Sequence, residues 1–442
     1  MIDLRNPDAK GAQMTIKDAG SLTPFDSGVE YSAPARGPWN IVHVGTLVPE
    51  SHQVFVCAQS CLRGVVLTAA EMNAMDRFST IAIQERNILK GDMEKLIING
   101  VTDILNKLPK LPRAVEVFSS CIHDFIGCDM EFVFGKLRRE FPNVDFTDCY
   151  MTPILRKTKF TPDAKMRQQL YSLLKPVPLE EKMVNVVGNL EPFYEKCEIL
   201  SMLEQGGWQL RDINYCGDYD EYQKMAASSV NIVTQSGTLS AGEALEQRLK
   251  QKLLYLPVSY RYEEIDGELK LAAEAMGLSL PDLQELKDRT DQALAHAAKV
   301  LAGMPVAIDF NATTRPLGLA RLLISHGIRV ITVYADSFGK EEEPDFYWLK
   351  EHAPELKISA TVHGKMVVLP RNEAEQYGGR LLAIGQKAAY FTGTRHFLNM
   401  LENSGLHGYE GIIRLARWME EEAVREQDVP SIIQVKGWGC CG

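Results

Sequence analysis

Val115-Glu-Val-Phe-Ser-Ser-Cys121-Ile-His-Asp-Phe-Ile-Gly-Cys128-Asp129 passes from an apolar run through small polar residues to a helix start. The run Ala114 to Phe118 predicts a buried parallel strand. Small polar residues end it, and Asp129 opens a helical pattern through Phe132, Phe134 and Leu137. In an open α/β sheet, ligands collect where strands end and helices begin. Two cysteines stand at that junction, where the positive end of a helix dipole favours the thiolate, the form that binds metal.

A second pair, Cys57 and Cys61, lies in Val54-Phe-Val-Cys-Ala-Gln-Ser-Cys-Leu-Arg-Gly64. Four thiols from two strand ends would suit an iron–sulfur cluster, for which thiolate is the usual ligand. The other reading is ordinary packing, since free cysteine behaves as a small hydrophobe. The spacings C-x3-C and C-x6-C match no zinc or ferredoxin pattern, so spacing alone leaves both readings open.

Short apolar runs alternate with turns between Trp39 and Cys57, and a helix is expected over Met93, Leu96, Ile97, Val101, Ile104 and Leu105. Lys175-Pro-Val-Pro marks a boundary. Met183 to Gly188 opens a second series, with a helix near Glu195 to Gln205 and a strand at Val230 to Gln235. A charged helix from about Leu280 to Leu301 leads to a third series, with strands at Met304–Phe310, Arg329–Tyr334, Met366–Leu369 and Leu381–Gly385. Strand–helix alternation of this kind predicts an α/β protein of three doubly wound, Rossmann-like domains with parallel sheets around a central cleft. The expected bounds are an N-terminal arm at 1–27, a cluster-binding domain at 28–178, a second domain at 179–300, and a third at 301–442 with a C-terminal tail.

The chain has 442 residues, 45% hydrophobic and 24% charged, which is ordinary globular usage. A net charge of −10 with no basic stripe argues against nucleic acid. No apolar run reaches the roughly 20 residues a membrane crossing needs. The opening residues lack a signal-peptide pattern, so the expectation is a cytoplasmic protein whose nine cysteines stay reduced. There is neither a GxxxxGK[ST] loop nor a GxGxxG after a strand, so any ATP in the system is expected on a partner.

The run VFSSCIHDFIGCDMEFV resembles the nitrogenase component 1 family, whose subunits carry a strand, a cluster cysteine and an Ile-Gly-Asp-Asp helix start. Gly28-Val-Glu-Tyr-Ser-Ala-Pro-Ala-Arg36 is similar to the Glu-Tyr-Thr-Pro-Ala-Arg entry of its β-type chains. Ser404-Gly-Leu-His407-Gly-Tyr-Glu-Gly411 is similar to the Ser-Gly-Pro-Tyr-His-Gly-Tyr-Asp-Gly segment of its α-type chains. Order and spacing hold over roughly residues 25 to 425.

The resemblance implies that Cys57 and Cys121 are cluster ligands, with Cys61 and Cys128 as further candidates. Gly37 stands where a third family cysteine is expected, so a [4Fe–4S] cluster, within one chain or across a dimer face, fits better than the larger shared cluster. Arg36 and His123 would tune it by hydrogen bonds. His407 corresponds to the histidine that holds the catalytic iron cofactor of α-type chains and is the catalytic candidate. The cysteine that should accompany it is missing from Asn231 to Ser236. Cys216 is the nearest substitute, and whether a second metallocofactor exists stays open. His396 and Arg315 are candidate cavity residues, Arg315 by meeting an anion at a helix N-terminus. Cys149 and Cys197 read as packing residues, and Cys440-Cys441 as a tail.

The implied function is a nitrogenase-like oxidoreductase subunit. It would pair with a homologous component 1 subunit in a homo- or hetero-oligomer and receive low-potential electrons from an ATP-dependent iron protein. It would then reduce a small-molecule substrate other than dinitrogen in the inter-domain cleft. The alternative is a non-catalytic scaffold for assembly of an iron–sulfur metallocofactor.

Overall fold

The computed structural model describes residues 11–26, 28, 30, 31, 33, 41–152 and 161–433. Arg36, Gly37, Cys440 and Cys441 lie outside the described residues. The chain divides into two compact units, one of residues 39–190 and 207–256, the other of 1–38, 191–206 and 257–442.

The first unit holds two parallel four-stranded sheets. One is built from β2 (Ser51–Ala58), β3 (Phe78–Ile83), β4 (Ala114–Ser119) and β5 (Asp145–Tyr150), in the order β3-β2-β4-β5. The other uses β6 (Glu180–Val186), β7 (Gln209–Asp212), β8 (Ser228–Val233) and β9 (Lys252–Tyr255), in the order β7-β6-β8-β9. In each the strand order reverses beside the first strand, which makes a switch point. All six residues of β4 are buried, as expected of a strand covered by helices on both faces. Phe55 of β2 stacks on Phe118 of β4 with ring centroids 4.0 Å apart and fixes the two strands in register. The helix Met93–Lys107 lays Met93, Ile97, Val101 and Leu105 on one face of this sheet at helical spacing. Asp129 caps the helix Met130–Glu140 by accepting from the Phe132 amide at 2.9 Å, as its sequence position predicts.

The second unit carries one six-stranded sheet, ordered β1-β12-β11-β10-β13-β14. Its strands are β1 (Gln13–Thr15), β10 (Val306–Asp309), β11 (Val330–Tyr334), β12 (Lys357–Ser359), β13 (Leu382–Ile384) and β14 (His396–Leu398). Five are parallel; β1 adds antiparallel to β12, through the register Gln13↔Ser359 to Thr15↔Lys357. Met366–Leu369, expected as a strand, is instead largely a 3-10 helix over Gly364–Val368. β12 has no edge left for it, because β11 and β1 occupy both sides. The His363 side chain accepts from the Lys365 amide and starts the turn. Among the described residues no helix is long and apolar enough to cross a membrane.

Candidate metal centre

The thiol positions follow from strand register. β2 and β4 are adjacent and parallel, with Phe55 opposite Phe118, so their carboxyl ends lie side by side at the switch point of the sheet. Cys57 is the penultimate residue of β2, and Cys61 lies in the first turn of the following helix, Gln59–Glu71. Beyond β4, Ser120 caps the short helix Cys121–Ile126, and Cys121 is its first residue. Cys57 is buried, Cys121 partly buried and Cys61 exposed. Burial pushes the Cys57 thiol up to about 12, and the neighbouring Cys61 and Cys121 raise it further. Three sulfurs that repel one another when ionised need a cation to hold all three as thiolates. Among the described residues no three such side chains already stand in metal-holding geometry.

The fourth candidate, Cys128, is placed differently. Its Sγ lies 3.9 Å from Met130 Sδ, and burial followed by the Glu94 carboxylate pushes its thiol up to about 12. The Asp129 amide donates to Glu94 Oε1 at 2.9 Å, so this acid is built into the same turn. The structure therefore groups Cys57, Cys61 and Cys121, and faces Cys128 towards Glu94.

His123 adds a feature that suits a cluster. The Ser120 amide donates to His123 Nδ1 at 3.0 Å, and burial leads the causes that lower the imidazole pKa. With Nδ1 accepting, the neutral ring carries its hydrogen on Nε2. That atom is buried without a hydrogen-bond partner among the described residues, two positions from Cys121. A donor so placed suits the sulfur of an iron–sulfur group, and the thiol donor set has the right chemistry.

Residues expected around a second cofactor have other partners. Cys216 Sγ donates to the Asp212 carbonyl at 3.5 Å, and burial pushes the thiol up to about 11. His396 Nδ1 is 2.9 Å from the Arg425 carbonyl. Arg315 pairs with Glu264 at 2.6 Å and Glu341 at 3.3 Å. The anion expected at its helix, Pro316–Ser325, belongs to the chain itself: Glu342 Oε1 accepts from the Leu317 amide at 2.6 Å and the Gly318 amide at 3.3 Å. Cys149 and Cys197 are buried, as packing residues should be.

His407 precedes the helix Gly408–Val424 and occupies its N-cap position. Its side chain is 2% exposed, with Nε2 3.6 Å from Glu268 Oε2 and the Phe193 ring 5.6 Å away. The turn before it is strained: Glu402, Asn403, Ser404 and Gly405 all have positive φ, from 44 to 72°. Backbone bonds from the Glu402 amide to the Asn311 carbonyl and from the Asn403 amide to the Ala312 carbonyl, both 2.7 Å, hold it. Gly405 is required there, because a Cβ would collide with the Pro192 carbonyl oxygen. A histidine enclosed in this way, with no cysteine at 231–236, does not fit a bulky cofactor anchored by one Cys and one His.

Two four-stranded parallel sheets and a third sheet of six strands define an α/β protein with thiols at a switch point of one sheet. The chain belongs to the nitrogenase component 1 type oxidoreductase family, whose model matches residues 42–423. The Cys121 and His407 segments lie inside that match; the Gly28–Arg36 segment precedes it. Among solved structures, the chain is similar to one of nitrogenase Cp1 at pH 6.5, with a TM-score of 0.67 and 15% identity over 92% of this chain and 96% of that one. A second, nitrogenase Cp1 at pH 5, gives 0.54 and 13% identity over 94% of each chain. At these identities the likeness is one of fold. No curated protein gives a significant sequence match. The family binds iron–sulfur clusters, forms oligomers and works with an iron protein.

Proposed function

We propose that this chain is a cytoplasmic subunit of a nitrogenase-like iron–sulfur reductase that takes low-potential electrons from an ATP-dependent iron protein. The observation that carries the reading is the convergence of Cys57, Cys61 and Cys121 at the β2/β4 switch point. Bound there, an iron–sulfur group supplies one-electron transfer at low potential. Cys57 would hold it from the buried side. Cys61 and Cys121, more exposed, would leave one face open to a fourth ligand from a homologous subunit or a second copy. His123 would donate from Nε2 to its sulfur. The substrate is a small molecule with a refractory bond, such as C–S or a tetrapyrrole double bond. Dinitrogen is disfavoured because Gly37 replaces a cluster cysteine and residues 231–236 lack the cofactor cysteine. His407 is the proposed proton donor to the reduced substrate.

Anaerobic purification with the partner subunit, followed by iron analysis and EPR, tests this. Wild type should carry iron and a reduced-cluster signal that Cys57→Ala and Cys121→Ala both abolish, while Cys128→Ala retains them. Full iron in the Cys57/Cys121 double variant would overturn the assignment. A cluster that transfers to another protein, without turnover when the iron protein and ATP are added, would point instead to the assembly scaffold.

A further inference from the structure

His407 shares its buried surroundings with a carboxyl group that the mechanism above does not use. Glu268 lies on the helix Tyr262–Met276, and its side chain is 8% exposed. Among the described residues its Oε2 has no hydrogen bond, and the His407 imidazole Nε2 lies 3.6 Å from it. Burying a lone carboxylate is costly, and so is burying a lone imidazolium; two such groups facing each other reduce both costs by sharing one proton.

We propose that Glu268 is the positioning partner of His407, the two side chains holding a single proton between Oε2 and Nε2. The exchange balances within the pair. The proton leaves carboxyl Oε2 and bonds Nε2, giving carboxylate and imidazolium with no change in net charge. When His407 gives its proton away, the pair keeps a carboxylate and a neutral imidazole and refills with one proton from solvent. The role rests on the reductive reading above, in which every electron pair delivered to a substrate needs protons.

The surroundings suit this task. From other elements, Glu268 faces Arg315, at the cap of Pro316–Ser325, and Glu341, in the 3-10 turn Lys340–Glu342; Glu264 faces it from its own helix. Burial, the largest cause, and the two acids all oppose the carboxylate; they outweigh Arg315, which favours it, and Glu268 is pushed up to about 9. Next in the chain to His407, Gly408 lies against Glu198, which accepts from the Glu410 amide at 2.8 Å and is pushed up to about 7 by burial. Phe193 closes over the imidazole. Glu264 and Glu341 are the more exposed acids of the group, with side chains 29% and 40% accessible, and both pair with Arg315.

The test is a histidine-selective NMR titration of the full-length chain, with the His407 resonance assigned by its loss in His407→Gln. In wild type the midpoint should lie about one pH unit or more above that in Glu268→Gln, because the variant has no carboxylate to balance the imidazolium. Coincident midpoints would overturn the pairing. Should Glu268→Gln misfold, Glu268→Asp withdraws the carboxylate by one methylene, and the same comparison applies with a smaller displacement. Iron content, measured on the same samples, reports the cluster assignment separately: an iron-free wild type sinks that reading and leaves the titration result standing.

Discussion

Glu116 lies in the middle of β4, the strand that delivers Cys121, and it is fully buried. Its Oε2 is so close to Gly45 that no Cβ would fit there; Gln53 crowds the same spot, and Arg77 and Ser51 are the other polar neighbours. Burial, the dominant cause, pushes the carboxyl from 4.5 up to about 8, against the pull of Arg77. The unfolded chain therefore loses this proton several pH units before the folded chain does. Stability falls as pH rises through that window, by about 1.4 kcal/mol per unit, and the effect is complete above about pH 8. Glu116→Gln keeps the shape and cannot ionise in either state. Between pH 5 and pH 7 the wild type should lose on the order of 3 kcal/mol relative to the variant. Urea unfolding of both proteins at four or five pH values measures this, using a probe in residues 39–190. Two stability curves that run parallel across pH 5 to 8 would refute the argument, since they would mean that Glu116 ionises alike in both states.

Two further outcomes are expected. Gly405→Ala forces a side chain into a left-handed position and displaces the Pro192 segment, weakening the Tyr194 amide bond to the Gly405 carbonyl; strain and hydrogen bond together predict about 2 to 4 kcal/mol of destabilisation in a thermal melt. Asp129→Ala removes the cap of Met130–Glu140 and should cost about 1 kcal/mol in chemical denaturation, with its iron content unchanged.

Much of the fold was legible because parallel strands read as continuous apolar runs, and Val54–Val56, Val306–Ile308 and Val330–Val333 each became one. The thiol positions were legible too, since a strand end followed by a helix start is a local pattern. Seeing that Cys57 and Cys121 stand side by side needed the strand register, which depends on residues some sixty positions apart. Glu116 was hidden inside its apolar run, because burial of a protonated acid leaves no mark on periodicity. The pairing of His407 with Glu268 joins a glycine turn to a helix far away in the chain, so neither neighbourhood announces the other. β1 is three residues of mixed polarity and carries no alternation long enough to read.

That last strand bears on how the protein is made. Gln13 has its partner at Ser359, so the opening residues emerge from the ribosome long before the edge they cover exists. At about 5–20 residues per second the wait is roughly 20 to 70 s, during which β1 stays unpaired. The sheet it belongs to also needs β10 to β14, all made after the other unit's strands are complete. Residues 39–190 and 207–256 can therefore fold while synthesis continues, whereas the opening segment can close the free side of β12 only after Ser359 has been made.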